Sequence, residues 1–292
     1  MKNRTALIFG ANGQDGFYLT ALLQQKAFNV IKISRRGNDI TGDVSDFAFV
    51  ERIIKEHLPE YIFHFAANST TRHDALFENH QTICTGTLNI LESVKLFCPR
   101  AKVFISGSAL QFVNKGPIDE QTPFEAKSAY SVARIHSVYA ARYFRQSFSL
   151  SVYVGYFFNH DSPFRTEQHI NQKIVRAVQN ISNGSKGKLR LGNIDVQKEF
   201  NFAGDMVEAV WKLVNQDYIF EAVLGCGKMY SIKDWIKYCF EKRNLDWAKF
   251  VTIDRNYLPE YDRLVSNPQI IMNMGWKPKV DFYNLADMML NV

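Results

Sequence analysis

Tyr130 and Arg134 stand four residues apart at the start of an amphipathic run, so on a helix they share one face. A phenol beside a fixed cation has its ionised form favoured, which suits it to exchange a proton during hydride transfer. A packing tyrosine and a solvated arginine would give the same spacing, so the pair needs a partner chemistry. That partner lies upstream. Gly10, Gly13 and Gly16 follow the apolar run Ala6-Leu7-Ile8-Phe9 at three-residue spacing and precede an amphipathic stretch over residues 17–23. With Asn12, Gln14 and Asp15 between the glycines, this is a buried strand, a turn and a helix start. It lets a pyrophosphate approach the backbone N–H groups at the positive end of a helix. The pattern predicts a dinucleotide site.

Arg35 and Arg36 end the next apolar strand, about twenty residues beyond the glycines, where an NAD-preferring fold places Asp or Glu against the ribose 2′-hydroxyl. Two guanidiniums there fit a 2′-phosphate through forked, charge-assisted bonds, so the reading favours NADP over NAD. Asp43-Val44 supplies an acid–apolar pair for the adenine edge. Ala66, Ala67 and Ser69 close a third strand with small side chains that let a cofactor lie near the backbone. His64, inside that strand, reads as a satisfied core histidine.

These groups need a scaffold of alternating elements. Strands are expected at 6–9, 30–34, 61–65, 102–106 and 150–158, with helices at 47–57, 76–97 and 130–146 between them. That alternation predicts an α/β fold: a Rossmann-type, doubly wound parallel sheet with a smaller α/β substrate-binding lobe. The expected division is 1–158 with a return segment at about 194–215 for the cofactor domain, and about 159–193 with 216–292 for the lobe.

The chain has 292 residues, 46% hydrophobic and 22% charged, with a formal charge of +6. This is ordinary globular composition. No long basic run accompanies the charge, so nucleotide phosphates account for it and a nucleic-acid partner is not expected. Cys84, Cys98, Cys226 and Cys239 form no CxxC pair and no metal-ligand spacing, so no metal site is expected and the thiols read as reduced, in a cytoplasmic protein. The first strand begins after four polar residues, and no apolar run is long enough for a bilayer; neither a signal peptide nor a membrane partner is expected.

The order of parts, with a serine-bearing turn at Ser106-Gly107-Ser108 and a tyrosine opening a helix, resembles the extended short-chain dehydrogenase/reductases, and within them the GDP-mannose 4,6-dehydratase family. Gly10 to Gly16 resembles that family's GxxGQDG turn, and Asn159-His160-Asp161-Ser162-Pro163 its NHESP segment. Leu191-Gly192-Asn193 with Lys198-Glu199-Phe200 resembles LGN…RDW, and Gly275-Trp276-Lys277-Pro278 resembles GWKP. The likeness implies that Tyr130 takes a proton from the sugar O4 as hydride leaves C4. An acid–base pair then removes water across C5 and C6, and the hydride returns to C6. It further implies that His160 joins the cofactor site. Asn159, Lys173, Gly192 and Lys198 would hold a GDP-sugar, with Arg263 or Arg255 at its diphosphate. A homodimer through helices 76–97 and 130–146 is also implied.

Three positions depart from the family. Arg134 replaces its lysine, Gly107 its catalytic threonine and Ala109 the glutamate that removes the C5 proton. Ser106 or Ser108 is the nearest substitute hydroxyl, and Glu120 and Glu125 are the nearest carboxylates in the following loop. The resemblance therefore implies an NADP-dependent enzyme that moves hydride at C4 of a nucleotide sugar. Its alternatives are a 4-keto-sugar reductase or epimerase that removes no water, and a binding protein with impaired catalysis.

Overall fold

The computed structural model describes residues 4–254 and 256–291; Arg255, a candidate diphosphate ligand, lies outside them. Strand β1 (Thr5–Phe9) is apolar and buried, as a central strand covered on both faces must be. It leads into helix α1 (Gln14–Gln25), then β2 (Asn29–Ser34), β3 (Ile40–Thr41) and α2 (Phe47–His57). Strand β4 (Tyr61–His64) follows, with α3 (Leu76–Asn79), α4 (Gly86–Phe97), β5 (Lys102–Ser108), α5 (Ala129–Phe148) and β6 (Ser151–Phe157) after it. Together with Glu221–Leu224 these strands form one seven-stranded sheet, parallel throughout.

Read from its edge the sheet runs β3-β2-β1-β4-β5-β6. Strand order reverses between β1 and β4, and a crevice opens outside their carboxyl ends at that switch point. Alternation within each strand sorts the core: Leu7 and Phe9 join one apolar layer, Ala6 and Ile8 the other. The helix expected over 76–97 is interrupted. His80–Thr85 widens into a π-helical turn between α3 and α4, where Gly86 packs so closely that an added Cβ would lie 2.8 Å from Val44 Cγ1.

The lobe is built from β7 (His160–Asp161), α6 (Ile170–Ser182), β8 (Leu189–Leu191) and β9 (Gln197–Lys198). Strand β10 (Asn201–Phe202) and helix α7 (Ala203–Val214) then return to the large sheet, ahead of its seventh strand, β11 (Glu221–Leu224). The chain re-enters the lobe with β12 (Tyr230–Ser231), α8 (Ile232–Glu241), β13 (Val251–Ile253) and β14 (Arg263–Leu264), and ends in α9 (Gln269–Asn273) and α10 (Phe282–Leu290). Trp235, Phe200 and Phe282 centre the lobe core.

Both expected boundaries move. Ile194, Val196 and Phe200 pack in the lobe core, so the return begins near residue 201. β11 pairs with β6, while Ile271 and Trp276 pack under the sheet, so these parts of 216–292 belong with the cofactor domain. Among the described residues no helix is long and apolar enough to cross a membrane.

His64 is fully buried at the end of β4, and neither ring nitrogen meets a partner at hydrogen-bonding distance and angle. It is a core histidine whose ring faces the backbone of Thr82 and Ile83. Burial, aided by the nearby Arg134 charge, pushes its pKa from 6.5 down to about 3, so it is neutral at neutral pH. The folded value lies below the unfolded one, so this contribution is complete above pH 6.5 and is lost as pH falls from 6.5 toward 3. Urea titrations across that window are expected to show stability falling with pH in the wild type. In His64→Leu that slope flattens; an unchanged slope would show that other groups carry it.

Candidate active site

Gly10 adopts φ +87°, and a Cβ there would lie 2.4 Å from the Ala66 backbone nitrogen, so only glycine lets β1 and β4 close at the switch point. Gly16 packs its Cα on the turn, with an added Cβ 2.6 Å from Ala11 Cα. Gly13 meets nothing nearer than the Gly10 carbonyl at 3.4 Å and opens α1 with no side-chain cap. Beside this turn lies a cavity of about 600 Å³, lined by Gly10, Asn12, Gly13, Arg35, Arg36, Asp43, Val44, Ala66 and Ala67. Asn12 Nδ2 donates to Ser34 Oγ (3.0 Å) and to the Arg36 carbonyl (2.6 Å), locking the arginine turn to the glycine turn. Arg35 bonds Glu78 at 3.1 Å. Arg36 pairs with no carboxylate among the described residues. The cradle fits a dinucleotide: close backbone, open helix start and a free guanidinium at the ribose end.

Through Gly13, Phe65 and Ala67 this cavity joins a central one of about 330 Å³. It gathers Gln14, Asp15, Ser69, Ser106, Ser108, Tyr130, Arg134, Asn159, His160 and Lys198. Ser128 caps α5 and receives the N–H of Ser131, which fixes Tyr130 in the first turn with its side chain largely buried. The Arg134 guanidinium stacks on the Tyr130 ring, 5.0 Å from its centroid. Its Nη1 donates to the Ser106 carbonyl and, at 2.8 Å, to Ser106 Oγ. Ser106 Oγ in turn donates to the His64 carbonyl (2.9 Å). Of the two serines proposed as a substitute hydroxyl, Ser106 is thus consumed by the scaffold. Ser108 Oγ only accepts, from Leu110 N–H at 3.2 Å, and keeps its proton for a ligand.

Across the cavity His160 Nδ1 faces the Phe158 carbonyl (2.8 Å) and Nε2 faces Asp15 (2.9 Å). Both neighbours accept, so the ring is an imidazolium. Burial opposes its charge, but Asp15 more than offsets that and raises its pKa, while His160 lowers that of Asp15 against the same burial penalty. Gln14 Nε2 donates to the His160 carbonyl and Ser162 Oγ donates to Gln14, so the glycine turn and the Asn159–Pro163 turn are clamped together. Asp161, the second carboxylate, receives Asn171 Nδ2 at 2.6 Å and lies 3.6 Å from Arg165. Lys198 is buried 5.2 Å above the Phe200 ring and pairs with no carboxylate among the described residues; burial lowers its pKa.

Arg165 and His169, which the sequence reading passed over, also line this cavity. His169 Nδ1 accepts from Arg165 (3.2 Å), and burial holds its pKa near 4, leaving a neutral ring that donates from Nε2. Their only sequence signal was position, directly after the Asn159–Pro163 motif at the start of α6. Arg134, His160, Arg165 and Lys198 thus face Asp15 and Asp161, an excess of positive charge that suits a diphosphate. Two expected ligands stand apart. Lys173 Nζ donates to the Arg190 carbonyl, and Gly192 lies under the Tyr257 ring, where an added Cβ would meet Cδ1 at 2.3 Å. Arg263 lines an adjoining chamber instead.

The family model of GDP-mannose 4,6 dehydratase matches residues 7–289, nearly the whole chain. The chain belongs to the GDP-mannose 4,6-dehydratase family. Family membership makes it an enzyme of nucleotide-sugar chemistry. GDP-mannose 4,6 dehydratase 1 of Arabidopsis thaliana is 29% identical over 99% of this chain and 89% of its own length. Among solved structures, RMD from Pseudomonas aeruginosa complexed with NADPH superposes with a TM-score of 0.88 at 18% identity, covering 99% of this chain and 98% of its own. The dTDP-glucose 4,6-dehydratase of Bacillus anthracis in complex with NAD gives 0.86 at 18%, covering 99% and 96%.

One of the positions at which the resemblance fails, Gly107, has a physical reason in the packing. A Cβ on Gly107 would lie 2.5 Å from Cδ1 of Tyr156, the residue beside it on β6. The Tyr156 ring is fixed: it packs on Phe112 with centroids 4.9 Å apart and its hydroxyl donates to Glu221. Position 107 therefore has no room for a threonine. Ala109 puts a methyl group where the family's carboxylate would stand. Neither loop carboxylate replaces it, since Glu120 accepts from Val223 N–H at 2.7 Å and Glu125 pairs with Lys127 at 2.8 Å, both outside the central cavity.

Proposed function

We propose that the protein is an NADP-dependent enzyme acting at C4 of a GDP-sugar, interconverting the alcohol and the 4-ketone without eliminating water. The observation that carries this reading is the central cavity itself. It presents Tyr130 to a ligand, while both of its carboxylates, Asp15 and Asp161, are already committed to His160, Asn171 and Arg165. Among the described residues that line the cavity, no carboxylate is left free to remove a C5 proton.

Gly10, Gly13, Ala66 and Ala67 would hold a nicotinamide cofactor, which would supply or take up the hydride. Tyr130 gives or takes the O4 proton, and Ser108 donates a hydrogen bond to the same oxygen. Arg134 holds the phenol ring from behind and ties it to Ser106. Lys198, Arg165 and Asn159 receive the diphosphate, and His160 with Asp15 walls the cofactor side. Incubation with GDP-mannose or its 4-ketone tests this by nicotinamide absorbance and product mass. The expected product differs by two hydrogens and retains its water. A product lighter by one water overturns the reading. Tight cofactor binding with no turnover of either sugar supports a second reading, a binding protein, which the withdrawal of the Arg134 guanidinium into the β5 backbone favours.

Arg35 and Arg36 favour NADP in this reading. Arg36→Asp is expected to weaken NADPH binding by about 10–100-fold, the worth of a charged hydrogen bond, and to leave NADH nearly unaffected in a fluorescence titration. Equal losses for both would remove Arg36 from the 2′-phosphate site. A homodimer is also proposed, through the exposed Leu88 of α4 and Val132, Tyr139 and Tyr143 of α5. Light scattering is expected to give twice the chain mass for the wild type and once for Tyr139→Glu/Tyr143→Glu; a wild-type monomer would contradict it.

A further inference from the structure

A second chamber of about 1000 Å³ opens off the Tyr130 cavity, sharing Ala109, Leu110 and Leu264 with it. That volume belongs to a whole small-molecule site, not to the mouth of one. Its floor is apolar: Ala109, Phe112, Leu264 and Val265 are buried, with half-buried Met229 on one wall. Charged groups, among them Lys115, Arg263 and Asp262, stand only at the exposed rim.

The walls are built by the fold. Ile118 N–H donates to the Val265 carbonyl and Asn267 N–H to that of Ile118. Asn114 Nδ2 donates to the Arg263 carbonyl at 2.6 Å, and Phe112 bridges to Phe124. Thr71 Oγ1 bonds Glu260 across the far side. Ala109 is the gate, because its single methyl group leaves the passage between cavity and chamber open.

We propose that this chamber receives an acyl substituent on the sugar, acetamido-sized or larger, which passes Ala109 while the reacting carbon sits at Tyr130. The proposal rests on the reading of Tyr130 as the acid/base at C4. An apolar floor with Thr71, Asn114, Ser128 and Tyr261 on half-buried walls and charges only at the rim suits a short carbon chain that carries one amide. It does not suit a diphosphate, whose cations Lys198 and Arg165 lie on the lobe side of the central cavity.

The test is calorimetric binding to the cofactor-loaded protein of GDP and of GDP-hexosamines carrying N-formyl, N-acetyl and N-butyryl groups. Affinity is expected to rise at least tenfold from formyl to butyryl. Met229→Trp, which fills the chamber, and Ala109→Leu, which closes its gate, should each abolish that rise, while GDP alone binds Met229→Trp as it binds the wild type. Flat or falling affinity along the series in the wild type overturns the proposal and leaves the Tyr130 reading standing. Equal losses for GDP and the sugars in Met229→Trp would place the nucleoside in the chamber and also overturn it. The Tyr130 reading fails separately, if Tyr130→Phe transfers hydride as fast as the wild type. Far-ultraviolet circular dichroism checks both variants, and either suffices if the other does not fold.

Discussion

Tyr130→Phe is expected to slow hydride transfer at the sugar by about 10²–10⁴-fold, the usual worth of a positioned general acid or base. Cofactor affinity should hardly change. Most other polar groups of the central cavity are already engaged. Ser106 is held by Arg134 and the His64 carbonyl, and both His160 nitrogens are engaged. His169 stays neutral because burial holds its pKa near 4, and it lies beside Arg165 on the lobe side. The phenol oxygen and Ser108 Oγ are left to meet a carbinol, and of the two the phenol is much the stronger acid. Its ring packs with Ile83, Cys84 and Ala133, contacts that phenylalanine keeps, so the loss isolates the hydroxyl. Single-turnover absorbance of the reduced nicotinamide, with a cofactor titration beside it, measures both quantities. A rate within an order of magnitude of wild type would mean that another group carries the proton.

The second large effect is on stability. Gly107→Thr is expected to destabilise the protein by about 3 kcal/mol, at the upper end for overpacking, because the intruding carbon meets a ring that cannot retreat. Tyr156 is anchored through Glu221, whose carboxylate also receives Arg142 at 2.7 Å and Arg145 at 2.6 Å. Burial alone would raise the Glu221 pKa. The bonds from Arg142, Tyr156 and Arg145 instead hold it at about 2, so this anchor persists through mild acid. Tyr156→Leu should cost stability in the wild type through the lost hydroxyl bond and ring contacts, yet relieve Gly107→Thr. Urea unfolding of the two single variants and the double variant forms a cycle that should show favourable coupling of about 1–3 kcal/mol. Additive losses would mean that the strand end moves aside and that position 107 is open after all. For the same reason, Gly107→Thr with Ala109→Glu should not restore water elimination while Tyr156 is in place.

Much of the cofactor half was legible in the chain because its signals are local. The glycines at 10, 13 and 16, the apolar strand before them and the arginines at 35 and 36 each declare themselves within a few residues, and the parallel, doubly wound sheet followed from alternation. Tyr130 and Arg134 were legible as a pair for the same reason: one helix face fixes their relation. What the sequence hid depends on contacts between distant segments. β11 has only three apolar residues, Ala222 to Leu224, and its place beside β6 is decided by pairing, so it was assigned to the lobe. Ile194, Val196 and Phe200 read equally well into either core. Gly107 looked like a simple loss of threonine until Tyr156, nearly fifty residues on, was seen filling the space. Glu120 looked available until its bond to Val223 was visible. The side chamber joins residues 109–117 to 260–265, and no periodicity announces such a meeting.

The most direct test of the central claim, hydride exchange at C4 with no base at C5, is a reaction run in deuterated water and followed by proton and carbon magnetic resonance of the sugar. Turnover should proceed with the C5 hydrogen intact and no deuterium at C5 or C6. Deuterium at C5, or a 6-deoxy product, would show that a base acts there and would contradict the account.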